Sequence, residues 1–382
     1  MNDNKTSKNS IVAKFAVPIS FLILFFLAAN FTDCDLVTFW KRKSHLTDLV
    51  VDMIPPDFSY IQKILLPLFY TIQMSVTGTV LGTFFALVLS PFGAANLGFP
   101  AVIRRILRIV IQILRSFPAL ILALTATFLF GLGTFAGTFA ITLYTFAIMT
   151  KLTYEDASAA DVKAYQALRA MGVSKYVAYI HGILPEIIPG FLTNALYLLE
   201  TNVRHSSILG YVGAGGIGLL LNEKISWLEY DKVGTILLML FLTVCVIEYF
   251  SRYLAALIRK EHTIKKEQAR LLLLFLAALF LICTFTLSLP DFSRTSPQTL
   301  RNMFAGFLQP DWSFFFSAEK DGLGYLLLET VCIAFIGTVI GAIVSAPLAF
   351  LNTKRFVPAP VSFLFNLVIM VIRSVPFLVY GL

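Results

Sequence analysis

Ile64 to Leu89 reads ILLPLFYTIQMSVTGTVLGTFFALVL, a run without Asp, Glu, Lys, Arg or His. A bilayer's hydrocarbon core is about 30 Å thick, and a helix rising about 1.5 Å per residue crosses it in about 20 residues. The run is long enough to cross and reads as a membrane span. The whole chain agrees: of its 382 residues 58% are hydrophobic and only 14% charged, against about a quarter in soluble domains, and its mean hydropathy is +0.81. This composition excludes an ordinary soluble enzyme. The excess of 30 Lys+Arg over 22 Asp+Glu, a net charge of +8, would suggest nucleic acid on a soluble chain. On a membrane protein it belongs to cytoplasmic loops, and no nucleic-acid partner is expected. Cys34, Cys245, Cys283 and Cys332 are scattered, with no CxxC and no neighbouring His, so neither a disulfide framework nor a metal site is implied.

Eight further apolar runs flank the first: Ile11 to Ala29, Ile106 to Leu132, Phe135 to Thr150, Ile187 to Leu209, Val233 to Leu257, Leu271 to Leu289, Tyr325 to Leu351 and Val361 to Leu382. The fold class is therefore all-α, a polytopic membrane protein with about nine transmembrane helices in the cell (plasma or inner) membrane, lipid being its surroundings. The first run, behind Lys5, Lys8 and Lys14, could be a signal sequence with Leu27, Ala28 and Ala29 as a poor cleavage site. An uncleaved span is preferred, because a matching span recurs later. A cytoplasmic amino terminus gives cytoplasmic segments a roughly two-to-one share of Lys and Arg. The densest cluster, Arg252, Arg259, Lys260, Lys265, Lys266 and Arg270, then lies inside; Lys41-Arg42-Lys43 falls outside and opposes the scheme.

Comparison of the chain with itself exposes a repeat. LTDLVVDMIPPDFS from Leu46 to Ser59 returns as LRNMFAGFLQPDWS from Leu300 to Ser313; GTVLG at Gly78 to Gly82 returns as GTVIG at Gly337 to Gly341; LRSFP at Leu114 to Pro118 returns as IRSVP at Ile372 to Pro376. The offsets are 254, 259 and 258 residues. Six spans separate equivalent points, so the copies are parallel rather than inverted. Residues 1–260 form one complete six-span unit, and residues 261–382 the first three spans of a second, incomplete one. The chain reads as a fragment of a fused two-unit protein, or as one whose other half comes from another chain.

Between spans four and five lies a polar insertion, Lys151 to Pro185. Its alanine and charge content predicts a helix over Asp156 to Met171, broken at Gly172, and a second from Tyr176 to Pro185. The pair would protrude on the cytoplasmic side, unless the segment is an ordinary amphipathic loop.

Here a family resemblance appears. Gln166-Ala167-Leu168, Gly172 and Gly182-Ile183-Leu184-Pro185 resemble the EAA loop of type I ABC-importer permeases, a pattern of E-A-A, three residues, Gly, nine residues, I-x-L-P. Gln166 stands for Glu, Leu168 for the second Ala and Gly182 for Ile. The resemblance implies the type I ABC-importer permease fold, with a coupling helix that docks into a cytoplasmic ABC ATPase dimer; Gln166, Ala167, Gly172, Leu184 and Pro185 would carry that contact. LETNVRHSSILGYVGAGGIG, from Leu199 to Gly218, is very similar to the corresponding run of phosphonate-type permeases. That implies import of phosphonate or a related phosphorus oxyanion. The expected partners are an extracytoplasmic solute-binding protein and a second permease unit, from an extended chain, a homodimer or another chain. ATP would be used by the partner subunit and no cofactor bound by this chain. A permease for methionine or another solute is the nearest alternative, since GAGGxG turns occur there too; an ion-coupled secondary transporter is the next.

Gly213, Gly215 and Gly218, with Gly216 between, also satisfy G-x-G-x-x-G, but no strand precedes them and no βαβ unit surrounds them. They read as a tight turn at the outer end of span five. Arg115, Arg204 and Arg373 lie in spans, where a charge is costly and carries a functional presumption. Arg204 follows Glu200 by one helical turn, which allows simple pairing. Alternatively Asn202, Arg204 and His205 line the path of an anion, since guanidinium matches phosphonate oxygens. Arg115 and Arg373 each precede a proline by three residues and suit a structural role at a kink. No catalytic constellation is found: HExxH, GxxxxGK[ST] and GxSxG are all missing.

Overall fold

A computed structural model describes residues 19–34, 36–259, 266–288, 311–317 and 322–374 except 354, with isolated residues between 290 and 309. Every regular element among the described residues is helical. The helices are α1 (Ile19–Phe31), α2 (Leu36–Asp52), α3 (Ile61–Gly93), α4 (Ala101–Ser116), α5 (Ala119–Phe130), α6 (Thr134–Ala159), α7 (Lys163–Ala170), α8 (Lys175–Gly182), α9 (Leu184–Leu209), α10 (Ile217–Ser226), α11 (Tyr230–Ile258), α12 (Lys266–Phe285), α13 (Trp312–Phe315), α14 (Leu323–Asn352) and α15 (Ala359–Ser374). Four, namely α3, α6, α11 and α14, are long and apolar enough to cross a bilayer, and up to six spans result if each of two bent pairs counts as one. Three shorter apolar helices lie at Ile19–Phe31, Leu274–Phe285 and Ala359–Arg373. Residues 11–18 and 375–382, parts of the first and ninth expected spans, fall outside the described residues.

One expectation is sharpened and one corrected. The kink expected at Pro118 in the third span is nearly a right angle: α4 and α5 meet at 94°. Pro118 has no amide hydrogen to donate and forces the preceding residue out of the helical region, and Phe117 is accordingly extended at φ −83°, ψ 125°. The helix expected over Asp156 to Met171 is two pieces, because α6 continues to Ala159 and α7 starts afresh at Lys163. The Asp161 carboxylate accepts the Lys163 amide hydrogen at 3.0 Å, an Asx-type contact that competes with helix continuation. Helix α2, carrying Lys41-Arg42-Lys43, lay outside every apolar run.

The chain divides into two compact units, residues 1–51 with 301–370 and residues 52–300 with 371–382. In the first, Phe21 and Phe31 of α1 meet Phe335 and Tyr325 of α14 at 5.2 and 4.9 Å between ring centroids. In the second, α3 lies along α6. A Cβ at Gly78 would stand 2.7 Å from Ile141 Cγ2, and one at Gly82 would stand 2.7 Å from the Thr142 carbonyl oxygen. Small residues let backbones approach where lipid offers no hydrophobic drive between helices, so GTVLG is a packing device. Gly337 and Gly341, its counterparts, have nothing within 4 Å among the described residues. A buried polar seam joins α3 to α6 and α9: Ser75 Oγ donates to Ser206 Oγ at 3.0 Å, and Asn202 bridges Thr79 and Thr145.

Candidate functional site

The insertion between α6 and α9 folds as a helical hairpin. Its first turn is fixed by Asp161, whose carboxyl is held below its ordinary range by the Lys163 amide and then by the Lys163 side chain, 3.2 Å away. Gly172 adopts φ +84° and ends α7; the Arg169 guanidinium donates to the Val173 carbonyl across the turn, and Ser174 Oγ caps α8 by accepting from Val177 N at 3.4 Å. The inner face rests on the α3–α4 connection. The Tyr165 hydroxyl donates to Leu97 O at 2.6 Å, burial pushing its phenol above the usual range. The Lys175 ammonium donates to Gly98 O, and Asn96 Nδ2 donates to Ala157 O at 2.9 Å. Tyr165, Ala178, Tyr179 and Ile183 bury together, with Leu184 packed on them.

The outer face is different. Gln166, Ala167 and Gly172 are exposed, and so are the apolar Met171 (70%), Val177 (43%) and Ile180 (36%). Leu184 sits between the hairpin core and α9, and Pro185 occupies the first turn of α9. Of the five residues named for coupling from the sequence, Gln166, Ala167, Gly172 and Pro185 are thus exposed, and Leu184 packs on the hairpin core.

On α9, Asn202 is fully buried and its Nδ2 donates to Thr79 Oγ1 and Thr145 Oγ1, each at 2.8 Å. Its amide is engaged in holding three helices. Arg204 pairs with Glu200, and the same Glu200 oxygen accepts from Arg373 Nη2 at 3.0 Å. Arg373 Nη1 lies 3.9 Å from Glu248, which also pairs with Arg252. Three guanidiniums therefore share two carboxylates, leaving a positive excess within the spans. Arg373 was marked in the sequence by its apolar surroundings, but Glu248, in the same kind of surroundings, was missed, and their partnership was not visible. His205 packs edge-on against Tyr144 at 5.2 Å, and its buried Nδ1 has no hydrogen-bond partner among the described residues.

After α9 the chain makes the glycine turn. Gly213, Gly215 and Gly216 have φ of +83°, +79° and +72°. The Gly213 carbonyl accepts from Gly133 N at 3.0 Å, and Ile217 N donates to Thr71 Oγ1 at 2.8 Å, so the turn is sewn to the start of α6 and to α3. Gly218 is required by contact: a Cβ there would stand 1.8 Å from Ser207 O. A cavity of about 370 Å³ opens against the turn, lined by Tyr70, Gly133, Thr134, Gly215, Gly216 and Thr286. On α10, Lys224, though mostly buried, meets Glu223 at 3.0 Å and Glu229 at 2.9 Å, and lies 5.5 Å from the Tyr60 ring centroid. These bonds raise its ammonium well above the usual lysine range. Neither Lys224 nor Tyr60 carried a sequence signal. Among the described residues, no three His, Cys, Asp or Glu side chains converge as a metal site would require.

Residues 78–260, from the close-packed α3 through hairpin and glycine turn to the end of α11, match the family described as binding-protein-dependent transport system inner membrane component. The phosphite transport system permease protein PtxC of Stutzerimonas stutzeri is 31% identical over 217 residues, 57% of this chain and 79% of that protein. The phosphate-import permease protein PhnE of Mycolicibacterium smegmatis is 31% identical over 203 residues, 53% of this chain and 38% of that protein. Among solved structures, the inward-facing MetNI methionine ABC transporter is 20% identical at a TM-score of 0.47, over 53% of this chain and 99% of that one.

Proposed function

The chain belongs to the family of binding-protein-dependent transport system inner membrane components, and from that premise we propose that it moves a phosphorus oxyanion, phosphite, phosphonate or phosphate, into the cell. The observation that carries the substrate class is the cluster of Arg204, Arg373 and Arg252 on Glu200 and Glu248, whose positive excess lies within the spans. Guanidinium forks match phosphorus oxyanions, and inside a bilayer such a charge favours an anion strongly. Arg204 and His205 would line the path, with Asn202 anchoring their helix. The names of the relatives also favour an oxyanion over methionine.

The energy would come from elsewhere. The hairpin presents Gln166, Ala167 and Gly172 together with exposed Met171, Val177 and Ile180, a surface suited to the cleft of a cytoplasmic ATPase. An ATPase that binds ATP can shift the permease only through different contacts with its two conformations, and the hairpin is the element able to carry that difference. An external binding protein would deliver the oxyanion. Residues 1–260 would supply one permease unit and residues 261–382 the beginning of a second. Consistent with that repeat, Asp57 accepts from Ser59 N at 2.9 Å before α3, and Asp311 accepts from Ser313 N at 3.0 Å before α14.

The test is uptake of labelled phosphite into vesicles carrying the chain, its ATPase and its binding protein. Competition by methylphosphonate and phosphate but not by methionine, abolished without ATP, is the expected result. Uptake that persists without the ATPase would mean an ion-coupled transporter, and competition by methionine would overturn the oxyanion reading. Arg204→Gln, at normal membrane abundance, should lower uptake at least tenfold, the loss of roughly 1.4 kcal/mol of binding.

A further inference from the structure

Helices α3, α9, α11 and α12 enclose a second, much larger cavity of about 890 Å³. It is lined by Leu, Ile, Val and Phe side chains such as Val76, Leu199, Val246, Leu257, Phe275 and Leu279. Of its few hydroxyls, Thr79 donates to Ser75 O at 2.6 Å and Thr83 to Thr79 O at 2.8 Å. So apolar a lining offers water little. An apolar void of about 150 Å³ can stay empty, but one several times larger, opening toward hydrocarbon, will be filled.

Length and charge identify the filling. On α11 the lining runs from Val246 to Ile258, about 18 Å at 1.5 Å per residue, close to the about 15 Å of one leaflet's hydrocarbon. This stretch is the C-terminal half of α11, at the same end of the spans as the α7–α8 hairpin. The groove therefore traverses a single leaflet. Just past Ile258, the hairpin-side end of the lining on α11, comes Arg259, and five residues before Phe275, the first lining residue on α12, comes Arg270, both exposed. Among the described residues, the acidic groups on this part of α11 and α12 are Glu248, buried and paired with Arg252 and Arg373, and exposed Glu267. Basic residues at the end of an apolar slot match an anionic headgroup above its own acyl chains.

We propose that this groove binds an anionic phospholipid from the leaflet on the hairpin side, acyl chains against α11 and α12 and phosphate on the arginines. The site joins α12, which leads out of the first unit, to α3, α9 and α11, and bound lipid would hold those helices together. The proposal requires only that the spans lie in a bilayer. It does not depend on the cargo, so its failure would leave the oxyanion reading intact.

The full chain would be expressed in membranes containing phosphatidylglycerol and phosphatidylethanolamine, purified with repeated detergent washing, and weighed intact with its retained lipid. One phosphatidylglycerol should remain. Ala195→Trp with Leu279→Trp, which fills the groove, should abolish retention; R259Q and R270Q should each lower it about fivefold while leaving the protein monodisperse. Equal retention of phosphatidylethanolamine, or retention unaffected by the tryptophans, would overturn the proposal. Should the tryptophan variant fail to fold, a photoreactive residue replacing Val246 in otherwise unaltered protein decides in the membrane: a lipid adduct supports the site, and an adduct with a protein segment overturns it.

Discussion

Gly182 at the end of α8 approaches α7 so closely that a Cβ built on it would stand 2.8 Å from the Tyr165 amide nitrogen and 2.9 Å from Tyr165 Cα. Both neighbours are backbone, so neither can rotate aside. This contact accounts for the departure from the EAA-like pattern, which has Ile where this chain has Gly182. Gly182→Ala should force α7 and α8 apart at a cost of about 1–3 kcal/mol. Uptake should fall while the chain still inserts, and amide exchange in α7 should speed up. Unchanged exchange and uptake would show that the close approach is dispensable.

The hairpin also shows what the sequence could and could not convey. Gly172 as a helix stop and the apolar lengths of α3, α6, α9, α11 and α14 were legible because each depends on residues next to one another in the chain. The break before α7 was missed because a single side chain, Asp161, outweighs the helix propensity of its alanine-rich neighbours. The bend at Phe117 was legible as a kink but not as a right angle, since the angle depends on what α4 and α5 pack against. Asn202 stood out as polar in a span, and its partners Thr79 and Thr145 did not, because they lie 123 and 57 residues away.

That separation yields a second prediction. Asn202→Ala removes both 2.8 Å bonds, and hydrogen bonds between membrane helices average about 0.6 kcal/mol, reaching about 1.7. Thermal unfolding in lipid nanodiscs should show a loss of about 1–3 kcal/mol, with uptake per folded molecule unchanged. Arg204→Gln should do the reverse, sparing stability and lowering uptake. If Asn202→Ala instead weakened substrate affinity at full stability, Asn202 would belong to the path and not to the seam.

The glycine turn separates two kinds of glycine. Alanine at Gly215 meets nothing closer than Thr134 Cγ2 at 3.5 Å, and only the left-handed backbone opposes it, at roughly 1–2 kcal/mol. Alanine at Gly218 would drive a methyl group to 1.8 Å from Ser207 O, a collision relieved only by moving α10 off α9. Gly218→Ala should abolish accumulation in the membrane, whereas Gly215→Ala should accumulate and transport with a modestly lower midpoint of unfolding. Comparable abundance of the two would contradict this arrangement of the turn.

Lys224 and Glu229 give the pH dependence. Glu229 is lowered below its ordinary 4.5, first by Lys232 and then by Lys224, while the hydrogen bonds that Lys224 donates to Glu229 and Glu223 raise it above its ordinary 10.5. A carboxylate with a depressed value stabilises the fold fully above about 4.5 and loses that contribution as pH falls through the lowered value. An ammonium with a raised value stabilises fully below about 10.5 and loses its contribution as pH climbs through the raised one. The contact therefore acts at full strength between those limits and weakens on both sides. Lys224→Met removes the ammonium from beside the Tyr60 ring and leaves Glu229 with Lys232, at 2.8 Å. The variant should unfold at lower temperature than the parent from pH 5 to 9, and the gap should close as the solution is taken below pH 4. A gap of constant size down to pH 3 would mean that Lys224 acts through the packing of its stem on Tyr60 and Trp227 and not through charge.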